Sequence, residues 1–348
     1  MVGWRSVVGT QGRGRRRLLL LGTVAAVAAG ITLFVAQPAA AAVEQITFRI
    51  TPAFDESGNN TYCLNLASNT SVNLASCTSD SASRLWSVVP ISASQSGYKF
   101  LRSGNRCITR PNNGTTIAGA ACSTTDQNQH WIVEGPFSGG IILFHSRVVD
   151  HTCLRAVPDD KKLEVGGCYA EDGTFHNSLW LMAPDAASVR VVSEYSGKCW
   201  TGDDSTDGTA SILQYGCVGS SDQTFSVRVS RSAGAMPKVT SVDTGLENST
   251  IEPGRYTITR ANGLCAGPSS GMSSGTALQQ KTCPNNPSTW LIYPHSDYAS
   301  FHIRPLADRK LAVDLSIGGG GGNDDGRKIQ FYAQSISKSN QRWSFIVS

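Results

Sequence analysis

Ten cysteines arranged as five close pairs constrain this 348-residue chain more than any other feature. The pairs are Cys63 and Cys77, Cys107 and Cys122, Cys153 and Cys168, Cys199 and Cys217, and Cys265 and Cys283. Their members lie 14, 15, 15, 18 and 18 residues apart, and the first of each pair recurs after 44, 46, 46 and 66 residues. No C-x-x-C occurs, which disfavours a zinc ribbon or a thioredoxin-like redox motif. An even cysteine number in an exported chain implies disulfides, and although ten cysteines admit hundreds of pairings, the rhythm favours a bridge inside each unit. A bridge closing a loop of about 15 residues is worth roughly 3 kcal/mol in the chain-entropy model.

The same rhythm marks an internal repeat. A bulky aromatic follows each pair: Trp86, Trp131, Trp180, Phe225 and Trp290. A sixth unit ends in Trp343 without cysteines, with Leu311-Ala312-Val313-Asp314 where the others read Cys-apolar and Gln334 near the missing second cysteine. These aromatics read as core plugs. Between the marks, Ile46–Ile50, Phe225–Val229 and Tyr256–Thr259 alternate apolar and polar side chains with period two, as half-buried strands do. Turn-forming clusters such as Pro111-Asn112-Asn113-Gly114 punctuate them, and no window offers a convincing amphipathic helix. The expectation is an all-β repeat protein.

Residues 1–42 read as an address. A basic stretch ending at Arg17 meets the apolar run Leu18 to Val35, then Ala36-Gln37-Pro38 and four alanines. That is the pattern of a removable secretory signal peptide, with cleavage expected after Ala41 or Ala42; Arg15-Arg16 also weakly resembles a twin-arginine signal. No other segment reads as a membrane span, so the mature chain is expected to be secreted, extracellular and soluble. The segment holds five arginines and no acid, so of the formal +4 the remainder carries −1. A near-neutral body without a basic stripe gives no footprint for nucleic acid.

Six units of Cys-apolar, a turn-rich loop, a second cysteine and a closing Gln-x-Trp resemble the ricin B-type β-trefoil lectins. The motif closes as Gln129-His130-Trp131 in repeat 2, Gln223-Thr224-Phe225 in repeat 4 and Gln341-Arg342-Trp343 in repeat 6. Arg84, Ser178 and Ser288 have lost the glutamine. Three such units close one pseudo-threefold barrel in that family, so the resemblance implies two tandem β-trefoil domains, residues 43–183 and 184–348, meeting near Ala183-Pro184-Asp185. The stretch 231–250 between repeats 4 and 5 is expected to be a surface insertion of the second domain.

In that family a sugar pocket uses an Asp two residues after the first cysteine position, a Gln, an aromatic two residues later and an Asn-Gln near the end. A carboxylate accepts hydroxyl hydrogens, amides fix others, and an exposed ring receives the sugar's C–H face. Repeat 6 matches throughout, with Asp314, Gln330, Tyr332, Asn340 and Gln341. The Asp position carries Asn65, Thr109, Arg155, Thr201 and Gly267 in repeats 1 to 5, and the aromatic position Ala75, Ala120, Gly166, Tyr215 and Lys281. Repeat 4, with Asp203, Tyr215, Asp222 and Gln223, is a possible remodelled second carbohydrate site; the other four read as scaffold.

The resemblance thus implies a lectin that binds glycans or polysaccharide, with a galactose-like sugar in the last repeat and no cofactor or metal. Catalysis is not expected: the six histidines are scattered, and no G-x-S-x-G or metal-spaced pair occurs. Asp203-x-Ser205-x-Asp207-Gly208 partly imitates a calcium loop but has Gln214 in place of the closing glutamate, and it reads as a solvated turn. The serious alternative is a secreted protein-interaction or protease-inhibitor trefoil with eroded sugar pockets.

Overall fold

Five tryptophans at one recurrent position plug the core of their repeats. In a computed structural model, Trp86, Trp131, Trp180, Trp290 and Trp343 are all buried. Each indole N–H donates to the carbonyl of the residue following the first cysteine position: Leu64 at 2.9 Å, Ile108 at 3.2 Å, Leu154 at 3.0 Å, Ala266 at 3.2 Å and Val313 at 3.0 Å. The indole therefore plugs the core while its polar edge is satisfied by the hairpin of its own repeat. In repeat 4, where Phe225 has no N–H, Trp200 fills the space edge-on against Phe225 and Trp343, at 5.8 and 5.3 Å between centroids.

The structure describes residues 46–348 except 54–60, 80, 93–94, 96, 138–140, 158, 169–175, 205–207, 231–235, 242–249, 285–289, 296–299 and 319–321. The expected export signal, Ser205 and Asp207 of the acidic turn, and most of 231–250 lie outside the described residues. No α-helix is present among the described residues; strands and single 3-10 turns carry the fold.

The first three repeats close a ring of six strands. Phe48–Pro52 pairs with Trp180–Pro184, which pairs with Ile141–Ser146, then in turn Trp131–Phe137, Lys99–Ser103 and Ser87–Pro90. The ring closes where Phe48 and Trp86 exchange backbone hydrogen bonds of 2.8 and 2.9 Å. Three hairpins cap it: Tyr62–Leu66 with Val72–Ser76, Arg106–Thr109 with Ala118–Ala121, and Thr152–Val157 with Lys162–Gly167. Bridges Ser71–Ala118 and Thr116–Glu164 tie the hairpins together, as does Leu74 N–H to Lys161 at 3.0 Å.

Repeats 4 to 6 do the same. Ala186–Ser193, Phe225–Val229, Arg255–Arg260, Trp290–Pro294, Phe301–Pro305 and Trp343–Val347 each pair with the next, and the last returns to the first. Their caps are Cys199–Thr201 with Leu213–Tyr215, Cys265–Pro268 with Leu278–Lys281, and Leu311–Leu315 with Arg327–Ala333. A closed ring leaves no barrel edge unpaired, which is how an antiparallel barrel avoids edge association. Two consecutive rings of six strands, each under three hairpins, make two consecutive β-trefoils. At the ends of the 231–250 stretch, Lys238–Ser241 pairs with Thr250–Glu252 in a separate ribbon.

Five disulfides form, each within its own repeat: Cys63–Cys77, Cys107–Cys122, Cys153–Cys168, Cys199–Cys217 and Cys265–Cys283. Each clamps the two strands of one cap hairpin. The change of ring falls at Asp185, which is wholly buried. Its carboxylate binds Arg49 of the first ring and Arg228 of the second, the latter at 2.8 Å, while Arg49 also donates to the Cys77 carbonyl at 2.9 Å. Arg49 and Asp185 are buried and Arg228 is partly exposed, and together they form the polar centre of the seam.

Candidate functional site

Strand alternation builds the repeat 6 cleft. On the hairpin Leu311–Leu315/Arg327–Ala333, Asp314 stands opposite Gln330 and Ala312 opposite Tyr332. These four share one face, because successive side chains point to opposite sides of a strand. The other face carries Leu311, Val313, Leu315, Ile329 and Phe331, all buried in the core. The 3-10 turn Ser339–Gln341 then brings Asn340 and Gln341 to the carboxylate.

Asp314 is only 3% exposed. Its Oδ2 accepts from Asn340 Nδ2 at 2.8 Å and Gln341 Nε2 at 3.0 Å; its Oδ1 accepts from Gln330 Nε2 at 3.3 Å. A carboxylate offers about four acceptor positions. Three are taken, so the remaining one lies on Oδ1. Burial pushes the Asp314 carboxyl above the usual carboxylate range, although the three amides and Lys338 oppose the shift. Beside it Tyr332 is 42% exposed, and Lys338 Nζ sits 5.5 Å from its ring centroid. The cleft encloses about 510 Å³, with Ser316, Ile317, Ser337 and Tyr195 completing its wall.

Gln341 is placed differently from the sequence expectation. It is wholly buried and does not line the cleft. Its Oε1 accepts the Ser335 N–H at 2.7 Å and its Nε2 also donates to the Ala333 carbonyl at 2.9 Å. Gln129 makes the same pair of bonds, to Ser123 N–H at 2.7 Å and Ala121 carbonyl at 2.9 Å, in a repeat with Thr109 at the Asp position. The glutamine of the Gln-x-Trp motif is therefore a brace that stitches the second cap strand to the 3-10 turn. In repeat 6 it additionally orients Asp314.

Repeat 4 forms a second cleft of about 580 Å³ containing Asp203, Tyr215, Asp222 and Gln223. Thr201 holds the place of Asp314, its hydroxyl accepting from Gln223 Nε2 at 3.1 Å. Tyr215 is half-exposed, and Asp222 Oδ1 has no hydrogen-bond partner. Asp325, from the long loop of repeat 6, also lines this cleft; it accepts from Gly216 N–H at 3.0 Å and Lys198 Nζ at 2.7 Å, and the lysine bond holds its carboxyl below the usual range.

Three other cap hairpins fill the matching space with their own side chains. Asn65 is closed off by Asn73 and Ser83, both at 2.8 Å. Arg155 lies across Gly166, so close that a Cβ there would meet its Nη1 at 2.8 Å. Lys281 crosses Gly267 and donates to the Pro268 carbonyl at 2.9 Å. His145 approaches Cys153 and Cys168, but both sulfurs are committed to a disulfide and offer no thiolate to a metal.

Tyr195 and Lys338 are cleft residues that the repeat pattern does not reveal. Lys338 adjoins the turn that carries Asn340. Tyr195 belongs to repeat 4 and reaches the repeat 6 cleft only because closure of the threefold sets the two repeats side by side, through the pairing of Leu213 with Lys328.

No family model matches the sequence, and no curated protein matches it. Among solved structures, the chain is similar to the Macrolepiota procera ricin B-like lectin in complex with lactose, at 15% identity and a TM-score of 0.36 over 48% of this chain and 99% of that one. It is similar to a non-toxic homologue of type II RIPs from Momordica charantia (bitter gourd) in complex with α-methyl-D-galactoside, at 16% identity and a TM-score of 0.31 over 87% and 98%. A mosquitocidal holotoxin matches at 14% identity and a TM-score of 0.34 over 88% of this chain; the chain spans 35% of that protein's length. The trefoil assignment rests on the two closed rings of the chain itself.

Proposed function

We propose that this chain is a secreted, non-enzymatic carbohydrate-binding protein whose repeat 6 cleft holds a galactose-like sugar. One observation carries the reading: a buried carboxylate fixed by three amides, with an acceptor position left over, beside a half-exposed tyrosine ring. Such a carboxylate does not need to reorganise when a hydroxyl arrives, and the ring supplies a surface for the sugar's C–H face. Asp314 accepts hydroxyl hydrogens, Tyr332 stacks, Gln330 and Asn340 contact the remaining hydroxyls, and Gln341 holds the set in place. A shallow single pocket of this kind implies weak affinity, roughly 0.1–1 mM. Repeat 4 is a candidate second site, with Thr201 in place of the carboxylate and Asp203, Tyr215 and Asp222 along the cleft.

The experiment is glycan-array binding by the oxidised protein with free-sugar competition. Binding that free galactose competes away supports the reading. The protein-interaction alternative is favoured by the filled hairpins of repeats 1, 3 and 5, and binding to no glycan would transfer the case to it. Export is tested by sequencing the mature N-terminus, expected close to Val43; retention of residues 1–42 would refute signal removal.

A further inference from the structure

The repeat 6 cleft has two aromatic surfaces, and only one is explained by a single sugar. Asp314, Gln330 and Asn340 gather beside Tyr332, and together they are enough to orient one ring. Tyr195, 42% exposed, lines the same cleft with Ile317, and neither brings a carboxylate or amide. Tyr195 and Ile317 converge on Gly322: a Cβ at that position would stand 2.5 Å from Tyr195 Cε1 and 2.8 Å from Ile317 Cγ2. Glycine is thus what lets the backbone at 322 approach the tyrosine ring.

The position of Tyr195 is built rather than incidental. Its backbone N–H donates to Ser193 Oγ at 3.2 Å, and the next residue, Ser196, donates through its hydroxyl to Gln214 Oε1 at 2.8 Å. Gln214, wholly buried, spends its amide hydrogens on the carbonyls of Gly322 at 2.7 Å and Asp324 at 2.8 Å. One buried amide therefore anchors both the turn bearing Tyr195 and the loop beneath it. A tyrosine ring on an anchored turn, set with Ile317 at the edge of a polar site, offers a surface suited to the C–H face of a second pyranose.

We infer that the cleft takes an oligosaccharide of at least two linked sugars, the first on Asp314 and Tyr332 and the second against the ring of Tyr195. This rests on the reading of repeat 6 as a sugar site. Tyr195 is then a specificity residue: it contributes to chain length selection and leaves the first sugar's contacts unchanged.

The test is isothermal titration of the full mature protein with galactose and with galacto-oligosaccharides of two and three residues, for the wild type, Tyr195→Ala and Tyr195→Phe. An aromatic stacking contribution implies an oligosaccharide advantage of roughly threefold to tenfold over galactose in the wild type. Tyr195→Ala is expected to abolish that advantage, read as the ratio of oligosaccharide to galactose affinity within each protein, and Tyr195→Phe to keep it. Saturation-transfer NMR on the wild-type complex, independent of any variant's folding, is expected to saturate C–H protons of both sugars. Equal wild-type affinities for galactose and its oligomers, an advantage that survives Tyr195→Ala, or saturation of one sugar alone would overturn the inference and leave the Asp314 site standing. Failure of both galactose and oligomers to bind the wild type would overturn the galactose-site reading itself.

Discussion

Gln341 donates a 3.0 Å hydrogen bond to Asp314 from a position sealed away from the cleft. The contact joins the repeat's structural brace to the candidate site. Gln129 and Gln223 occupy the same place in repeats 2 and 4, and Gln223 directs its amide to Thr201 at 3.1 Å where Gln341 meets the carboxylate.

Because these glutamines brace the fold, Gln129→Ala and Gln341→Ala should both destabilise, by about 1–3 kcal/mol each from backbone groups left unsatisfied. Denaturant titration measures this. Only Gln341→Ala should also weaken sugar binding, since only it touches Asp314. A Gln341→Ala protein of unchanged stability would contradict the brace.

The seam at Asp185 leads to a second expectation. Asp185→Ala would leave Arg49 buried without its counter-ion, which costs about 3–5 kcal/mol. Each ring nevertheless closes on its own, so residues 43–185, which keep Asp185 with Arg49, and residues 186–348 expressed separately should each fold and melt cooperatively. Circular dichroism melts check both points; a half that remains unfolded would show that the rings are not autonomous.

His302 provides a pH signature. It is buried, and burial, with Arg304, His295 and Arg342 nearby, pushes it down to about 4 against an opposing backbone contact at Gln341. An unfolded histidine protonates near 6.5. Between those values the unfolded chain holds a proton that the folded chain refuses. The stability this residue supports is complete above about 6.5 and declines as pH falls towards 4, by on the order of 3 kcal/mol. His302→Gln should flatten that acid limb in denaturation curves collected across the window; an identical limb would contradict the assignment.

Asp314 has the opposite sign. Its folded carboxyl is raised, so the fold retains the proton at a pH where the unfolded chain has lost it. Its charge works against stability above the folded value, and acid relieves that cost. Sugar binding through an ionised acceptor behaves in the reverse way, weakening as pH falls through the raised value. Titrations from pH 7 to 4 should show affinity lost before ordinary aspartates protonate. Constant affinity across that range would show that the ionised carboxylate is not the acceptor.

Much of this molecule was legible from its cysteines and tryptophans. The five close pairs bridge as their rhythm implies, and Trp86, Trp131, Trp180, Trp290 and Trp343 are the core plugs expected of a repeated aromatic. The role of Gln341 was harder to read. The same residue type can brace or bind, and only the bonds to Ser335 and Ala333 separate the two. Tyr195 was not legible at all, since it lies more than a hundred residues from Asp314 and meets the cleft through ring closure. Arg49 and Asp185 were hidden for a related reason: a charged residue on a strand or at a strand junction reads as exposed until two rings are set against each other.

Whether Asp314 and Tyr332 form the sugar site is decided by isothermal titration of galactose into the wild type, Asp314→Ala and Tyr332→Ala. A hydrogen bond to a charged group contributes roughly 1.5–3 kcal/mol, so Asp314→Ala should weaken binding about tenfold or more. Tyr332→Ala should also weaken it. Wild-type affinity retained in Asp314→Ala would contradict the account and move the site out of repeat 6.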